Sequence, residues 1–105
     1  MATRDWHLYL IRTDNGTLYT GITTDVERRL AEHQQGGRLA ARYLRANLPV
    51  ELVYSVAIGS RSLATRLEWA VKQLPKSHKE AIVSQSPDSE ALRALLKIPA
   101  DSNAG

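Results

Sequence analysis

Tyr9, Tyr19, Arg29, His33 and Glu68 are residues of this sequence whose types could do acid–base, anion-binding and metal-ligand chemistry, the set that a reaction such as phosphate-ester hydrolysis would call on. Such a reaction needs an activated water, positive charge at the phosphoryl oxygens and stabilisation of the leaving oxygen. Glu68 is a hard oxygen ligand suited to Mg²⁺ or Mn²⁺, and one carboxylate completed by waters and substrate phosphate is an acceptable magnesium shell. Arg29 could hold a phosphate through two donors. A tyrosine base is less obvious, because its ordinary pKa of about 10 requires a nearby cation or metal-bound water to favour the phenolate. Each residue alone also has a plainer role. Strand tyrosines usually pack, helix arginines usually face water, Glu68 can pair with Lys72 at i, i+4, and His33 suits a helix C-terminus. Taken one at a time, these signals are weak.

The elements that must position them lie mostly in His7–His33. Leu8 and Leu10, then Leu18, Thr20 and Ile22, alternate with His7, Tyr9 and Ile11, then Tyr19 and Gly21, the period-two pattern of half-buried strands. Asp14-Asn15-Gly16 supplies the turn. As a three-residue loop with Gly16 left-handed in a bulge, it sets Ile11 opposite Tyr19 and Tyr9 opposite Gly21. Both tyrosines then share one face, the aliphatic residues take the other, and Gly21 leaves an open spot beside Tyr9 where a ligand could approach the backbone. A two-residue Asn15-Gly16 loop would instead split the tyrosines between faces. Thr24-Asp25-Val26-Glu27 has capping-box form, so a helix should start near Asp25, with Gly36-Gly37 as its stop. Val26, Leu30 and His33 share a stripe bordered by Arg29, whereas Arg28 points elsewhere and can pair with Glu32.

Tyr9 within His7-Leu8-Tyr9, the triplet Tyr19-Thr20-Gly21, Arg29 and His33 together resemble the pattern of the GIY-YIG nucleases. The first triplet matches only at its tyrosine, and the second has Thr20 in the middle. Ala64-Thr65-Arg66-Leu67-Glu68-Trp69 is similar to the helix carrying that family's metal-binding glutamate, here Glu68. The resemblance spans roughly Trp6 to Leu74 and is strongest to the small stand-alone bacterial members. It implies a small three-stranded antiparallel sheet flanked by helices, an α/β (α+β) fold. It also implies water activation by Tyr9, a supporting hydrogen bond from Tyr19, and phosphate contact or proton transfer by His33. Many members end the set with an asparagine after the glutamate helix; here Asn103 in the tail is no obvious equivalent, and small members resembling this chain also lack one.

The rest of the chain supplies a frame. Its 105 residues suit one domain, expected over residues 6–98, with a flexible leader over 1–5 and a disordered tail over 99–105. The absence of cysteine excludes disulfides and thiolate zinc sites. No apolar run resembles a signal peptide or a membrane span, so a cytoplasmic protein is expected. The net charge of +3 permits an acidic partner. Arg28, Arg29, Arg38, Arg42 and Arg45 cluster in the motif-bearing half, and several acids fall near the C-terminus. A short helix is expected over Leu39–Leu48, with Arg38, Arg42 and Arg45 largely on one side as phosphate contacts, their plainer role being a solvated face. Val50, Leu52, Tyr54 and Val56 alternate with Glu51, Val53, Ser55 and Ala57 as a third strand. Leu63, Leu67, Ala70, Val71 and Leu74 then mark a helix up to Pro75, with Glu68 off the centre of its stripe. Pro75–Val83 reads as another helix, with Lys76, Lys79 and Glu80 exposed. Ser86-Pro87 reads as the N-cap and first turn of a final helix that closes the core.

The function expected is a metal-dependent endonuclease on nucleic acid, DNA before RNA, single-stranded or branched, in a repair or recombination role. Gly21, Arg38, Arg42, Arg45 and Lys72 are its expected nucleic-acid contacts, Glu68 its metal ligand, and Mg²⁺ or Mn²⁺ its cofactor. The rival readings are a non-catalytic nucleic-acid-binding module and a protein-interaction module.

Overall fold

In the computed structural model, which describes residues 4–35 and 50–99, strand β1 (Trp6–Thr13) runs down the middle of a three-stranded antiparallel sheet. Strand β2 (Leu18–Thr23) pairs on one side and β3 (Val50–Gly59) on the other. A central strand covered on both faces must be apolar on both, and Leu8, Tyr9, Leu10 and Ile11 are all buried. The hairpin has the three-residue loop. Ile11 faces Tyr19 and Tyr9 faces Gly21, Thr13 and Thr17 close the loop through Thr13 N–H to Thr17 C=O, and Gly16 takes φ of 86°. An L side chain resists that backbone conformation, which explains the glycine.

One core lies on the aliphatic face. Leu8 and Leu10 meet Leu63, Leu67 and Val71 of helix α2 (Arg61–Lys72), Ile82 of α3 (Lys76–Gln85) and Leu92 of α4 (Ser89–Leu96). The i, i+4, i+8 spacing of the α2 residues makes one stripe, and each fully buried leucine contributes roughly 1.5–3 kcal/mol. The second, smaller core lies on the tyrosine face, where Tyr9, Ile11 and Val50 pack with Tyr19, Leu52 and Leu30 of α1 (Val26–Gln35). The sheet is therefore covered on both faces, and the site grows from the second core.

Several local expectations are corrected. Strand β3 does not alternate throughout: Leu10 pairs with Tyr54 and Ile11 with Leu52, so Val53 is an extra, bulged residue. Val50 and Leu52 consequently join the tyrosine core, whereas Tyr54 and Val56 join the aliphatic one. The α1 cap is Asp25 rather than Thr24, its Oδ1 accepting from Arg28 N at 3.1 Å. Ser86 is not the N-cap of α4 but the left-handed end of α3, and Asp88 caps α4 by accepting from Ala91 N at 2.8 Å. Aspartate outranks threonine as a cap, which accounts for Asp25; aspartate and serine rank level, so at the second place position and not residue type decides. Glu80 is not free in solvent; it receives two hydrogen bonds of 2.7 Å from Arg12, tying α3 to β1. Gly36-Gly37, the expected Leu39–Leu48 helix and the far termini lie outside the described residues.

Candidate active site

Tyr9 is held at the centre of the site by backbone register. Its ring lies over Gly21, where any Cβ would collide with the tyrosine Oη and Cζ. The open spot expected beside Tyr9 is thus filled by the tyrosine itself, and Gly21 is accounted for by packing. Helix α1 brings His33 to the same hydroxyl: Tyr9 Oη and His33 Nε2 are 3.0 Å apart. Tyr19, two residues before Gly21 on β2, sets its ring edge-on to the imidazole with centroids 5.9 Å apart. His33 is the buried residue of α1, with no exposed surface. It faces the tyrosines instead of an open surface, which departs from the expectation of phosphate contact and favours a role in orienting the Tyr9 hydroxyl.

Arg29 lies one turn before His33, close enough to Tyr9 to favour loss of its proton. Its Nη1 donates to Glu32 Oε1 at 2.9 Å, whereas Arg28, the partner expected for Glu32, reaches it only at 4.0 Å. Glu32 thus pairs with Arg28 as expected and makes a second, shorter contact with Arg29 that sequence reasoning missed. Its i+3 position relative to Arg29 was the available signal. Glu68 arrives from α2, paired with Lys72 at 3.4 Å, and its charge is felt by Tyr9.

These surroundings set the proton affinities. Burial pushes the Tyr9 hydroxyl up to about 12, with Tyr19 and Glu68 adding to the rise, while Arg29 opposes it. Burial pulls His33 down to about 4, and the Arg29 charge acts in the same direction. For Arg29, burial works against the charge, but Glu32 and Tyr9 more than offset it and raise its proton affinity. At neutral pH the centre is therefore a neutral tyrosine and a neutral histidine beside a fixed cation.

Three elements far apart in sequence thus converge on one phenol. A family model for the GIY-YIG catalytic domain matches residues 5–81, covering β1 through most of α3. The chain belongs to the GIY-YIG family. As a GIY-YIG chain it is 50% identical over 101 residues to a UPF0213 protein of Yersinia enterocolitica, covering 96% of this chain and all of that one. It is 48% identical over 94 residues to a UPF0213 protein of Citrobacter koseri, covering 90% and 92% of the two chains. The solution NMR structure of a UPF0213 protein from Bacillus halodurans superposes with a TM-score of 0.51 at 34% identity, covering 90% of this chain and 99% of that one. These relatives are small stand-alone bacterial members of the GIY-YIG superfamily.

Within this GIY-YIG domain, Tyr9, Tyr19, Arg29, His33 and Glu68 gather around one centre, and Lys72 sits on Glu68. Arg38, Arg42 and Arg45 lie outside the described residues. No helix among the described residues is long and apolar enough to cross a membrane. The donor set is sparse: no group of three or more histidines or acids among the described residues is placed to hold a metal. A lone carboxylate at Glu68 fits the magnesium mode, in which substrate phosphate and water complete the shell.

Proposed function

We propose that the protein is a metal-dependent endonuclease that hydrolyses phosphodiester bonds in DNA, single-stranded or branched, in the cytoplasm and in a repair or recombination setting. Membership of a nuclease family gives the reaction class. The observation that carries the reading for this chain is the Tyr9 hydroxyl, 3.0 Å from His33 Nε2 and within the fields of Arg29 and Glu68.

Glu68 would hold the cation, Mg²⁺ or Mn²⁺, which when bound supplies positive charge beside the phosphoryl and leaving oxygens. Tyr9 is the group to activate water, and the difference between its affinity near 12 and that of His33 near 4 defines the role of the histidine. Burial pushes the two proton affinities apart, up for Tyr9 and down for His33, so in the resting site the proton stays on Tyr9. His33 therefore fixes the direction of the hydroxyl and does not serve as its base. Arg29 draws the phenol back toward ionisation and, with its geometry fixed by Glu32, presents donors for the scissile phosphate. Lys72 balances the Glu68 charge and can exchange that contact for a phosphate oxygen.

One observation favours a second reading, nucleic-acid binding without hydrolysis: Tyr9 is only 3% exposed. Cleavage of end-labelled single-stranded, duplex and branched DNA and of RNA, with Mg²⁺ or Mn²⁺, separates the two readings. Wild type should give products that vanish in chelator and in folded Glu68→Ala. Products persisting in that variant would refute the metal assignment, and binding with no cleavage under either metal would establish the second reading.

A further inference from the structure

Helix α2 carries Glu68 on one flank, and the side facing away from the core presents a surface of which the proposed hydrolysis uses only Lys72. Its inner stripe, Leu63, Leu67 and Val71, is buried, while Arg61, Ser62, Thr65, Arg66, Trp69 and Lys72 are exposed. Trp69 stands at the centre of that outer face, 66% exposed, one of two large apolar side chains left open among the described residues. At 100° per residue, Arg66 flanks it on one side and Lys72 and Arg61 on the other, with Glu68 just beyond Lys72. From Arg61 to Lys72, Glu68 is the sole acid. A shallow, open depression lined by Arg61, Ser62, Thr65 and Arg66 lies on the same face.

We infer that the outer face of α2 is a docking site for single-stranded nucleic acid, with a base stacked on Trp69 and backbone phosphates held by Arg61, Arg66 and Lys72. The inference deepens the proposed function, resting on its nucleic-acid partner but not on hydrolysis. An indole standing in water loses little by being covered and offers a π-face that every base can use. The cations around it complement phosphate and leave the centre of the face apolar, as a stacking platform requires. Duplex DNA keeps its base faces stacked internally, so a platform of this kind selects unpaired strands. A protein partner would not need cations on both sides of the indole. Two features prepare the surface: Arg61 is steadied over the Trp6 ring at 5.3 Å from its centroid, and Ser60 Oγ caps the helix by accepting from Leu63 N at 3.1 Å. Because Lys72 bridges this face and Glu68, a strand lying across Trp69 is led toward the Glu68 carboxylate.

The test is binding of a labelled oligothymidylate and of a duplex of equal length to the full chain in chelator, so that cleavage plays no part. In a Trp6→Phe background Trp69 is the remaining indole, and its emission should be quenched by the single strand. Trp69→Ala should weaken single-strand affinity by about 5- to 150-fold, the loss of one stacked base, and leave duplex affinity unchanged. Trp69→Phe should recover part of the loss, and Arg66→Ala should lower the salt slope by about one. Thermal unfolding checks that each variant folds. Unchanged single-strand affinity in Trp69→Ala, or an equal loss on duplex, would overturn the proposal. A protein that binds through Trp69 but never cleaves would refute hydrolysis alone, and an active nuclease indifferent to Trp69 would refute the docking site alone.

Discussion

His33 is neutral and buried because of where it sits. Folding removes its ring from water and places it beside the Arg29 cation, so its pKa falls from an ordinary 6.5 to about 4. The sign of the linkage follows. Below pH 6.5 the unfolded chain takes up a proton that the folded chain refuses until about pH 4. The stabilisation is therefore fully present above pH 6.5 and is lost as pH falls toward 4, by as much as about 3 kcal/mol. Urea midpoints across that window should fall more steeply for wild type than for His33→Gln, which has no proton to gain. Parallel curves would show that His33 titrates in the fold as it does in water. The same burial leaves Tyr9 dependent on Arg29 for any approach to phenolate, so residue chemistry here is set chiefly by packing.

At the scale of elements, the hairpin places the phenol and α1 orients it. Gly21 is the position where this is most exposed to mutation, because the ring of Tyr9 occupies the volume a Cβ would need. Gly21→Ala should cost about 1–3 kcal/mol in thermal or urea unfolding and displace the Tyr9 hydroxyl from His33. It should also abolish cleavage in protein that remains folded. An active Gly21→Ala variant of wild-type stability would mean that the ring is not held there. This register was one of two that the sequence offered: a three-residue Asp14-Asn15-Gly16 loop sets Tyr9 opposite Gly21, as the fold has it, whereas a two-residue loop would have split the tyrosines. The helical spacings of Arg29, His33 and Glu68 brought them to the sheet. The use of Gly21 was not legible, since a glycine opposite a tyrosine can face a ligand or the tyrosine's own ring. Nor was the Val53 bulge, where the apolar residues read as well on either face. The Arg12–Glu80 clamp joins residues 68 positions apart and leaves no periodic signal. At the caps, adjacent Thr24-Asp25 and Ser86-Pro87-Asp88 offered competing acceptors, and the aspartates won.

Across the whole molecule, two cores on opposite faces of one sheet do different work. The aliphatic core extends past the matched family domain, through Ile82 and on to Leu92 of α4, and Tyr54 Oη donates to Pro87 O at 2.7 Å to hold that final segment. This core fixes α2, and with it Glu68, against β1 and β2. The tyrosine core fixes α1, and with it Arg29 and His33. A site assembled in this way should act as a unit, so the effects of removing its parts should not add. Single-turnover cleavage by Tyr9→Phe, Glu68→Gln and the double variant tests this most directly, each variant first shown to unfold at the wild-type temperature. Each single change should slow cleavage by at least about 100-fold, the usual minimum for loss of an acid–base group, and the double variant should be little slower than the worse single one. Cleavage by Tyr9→Phe at the wild-type rate would contradict the account at its centre, because the phenol on which all three elements converge would then have no part in the reaction.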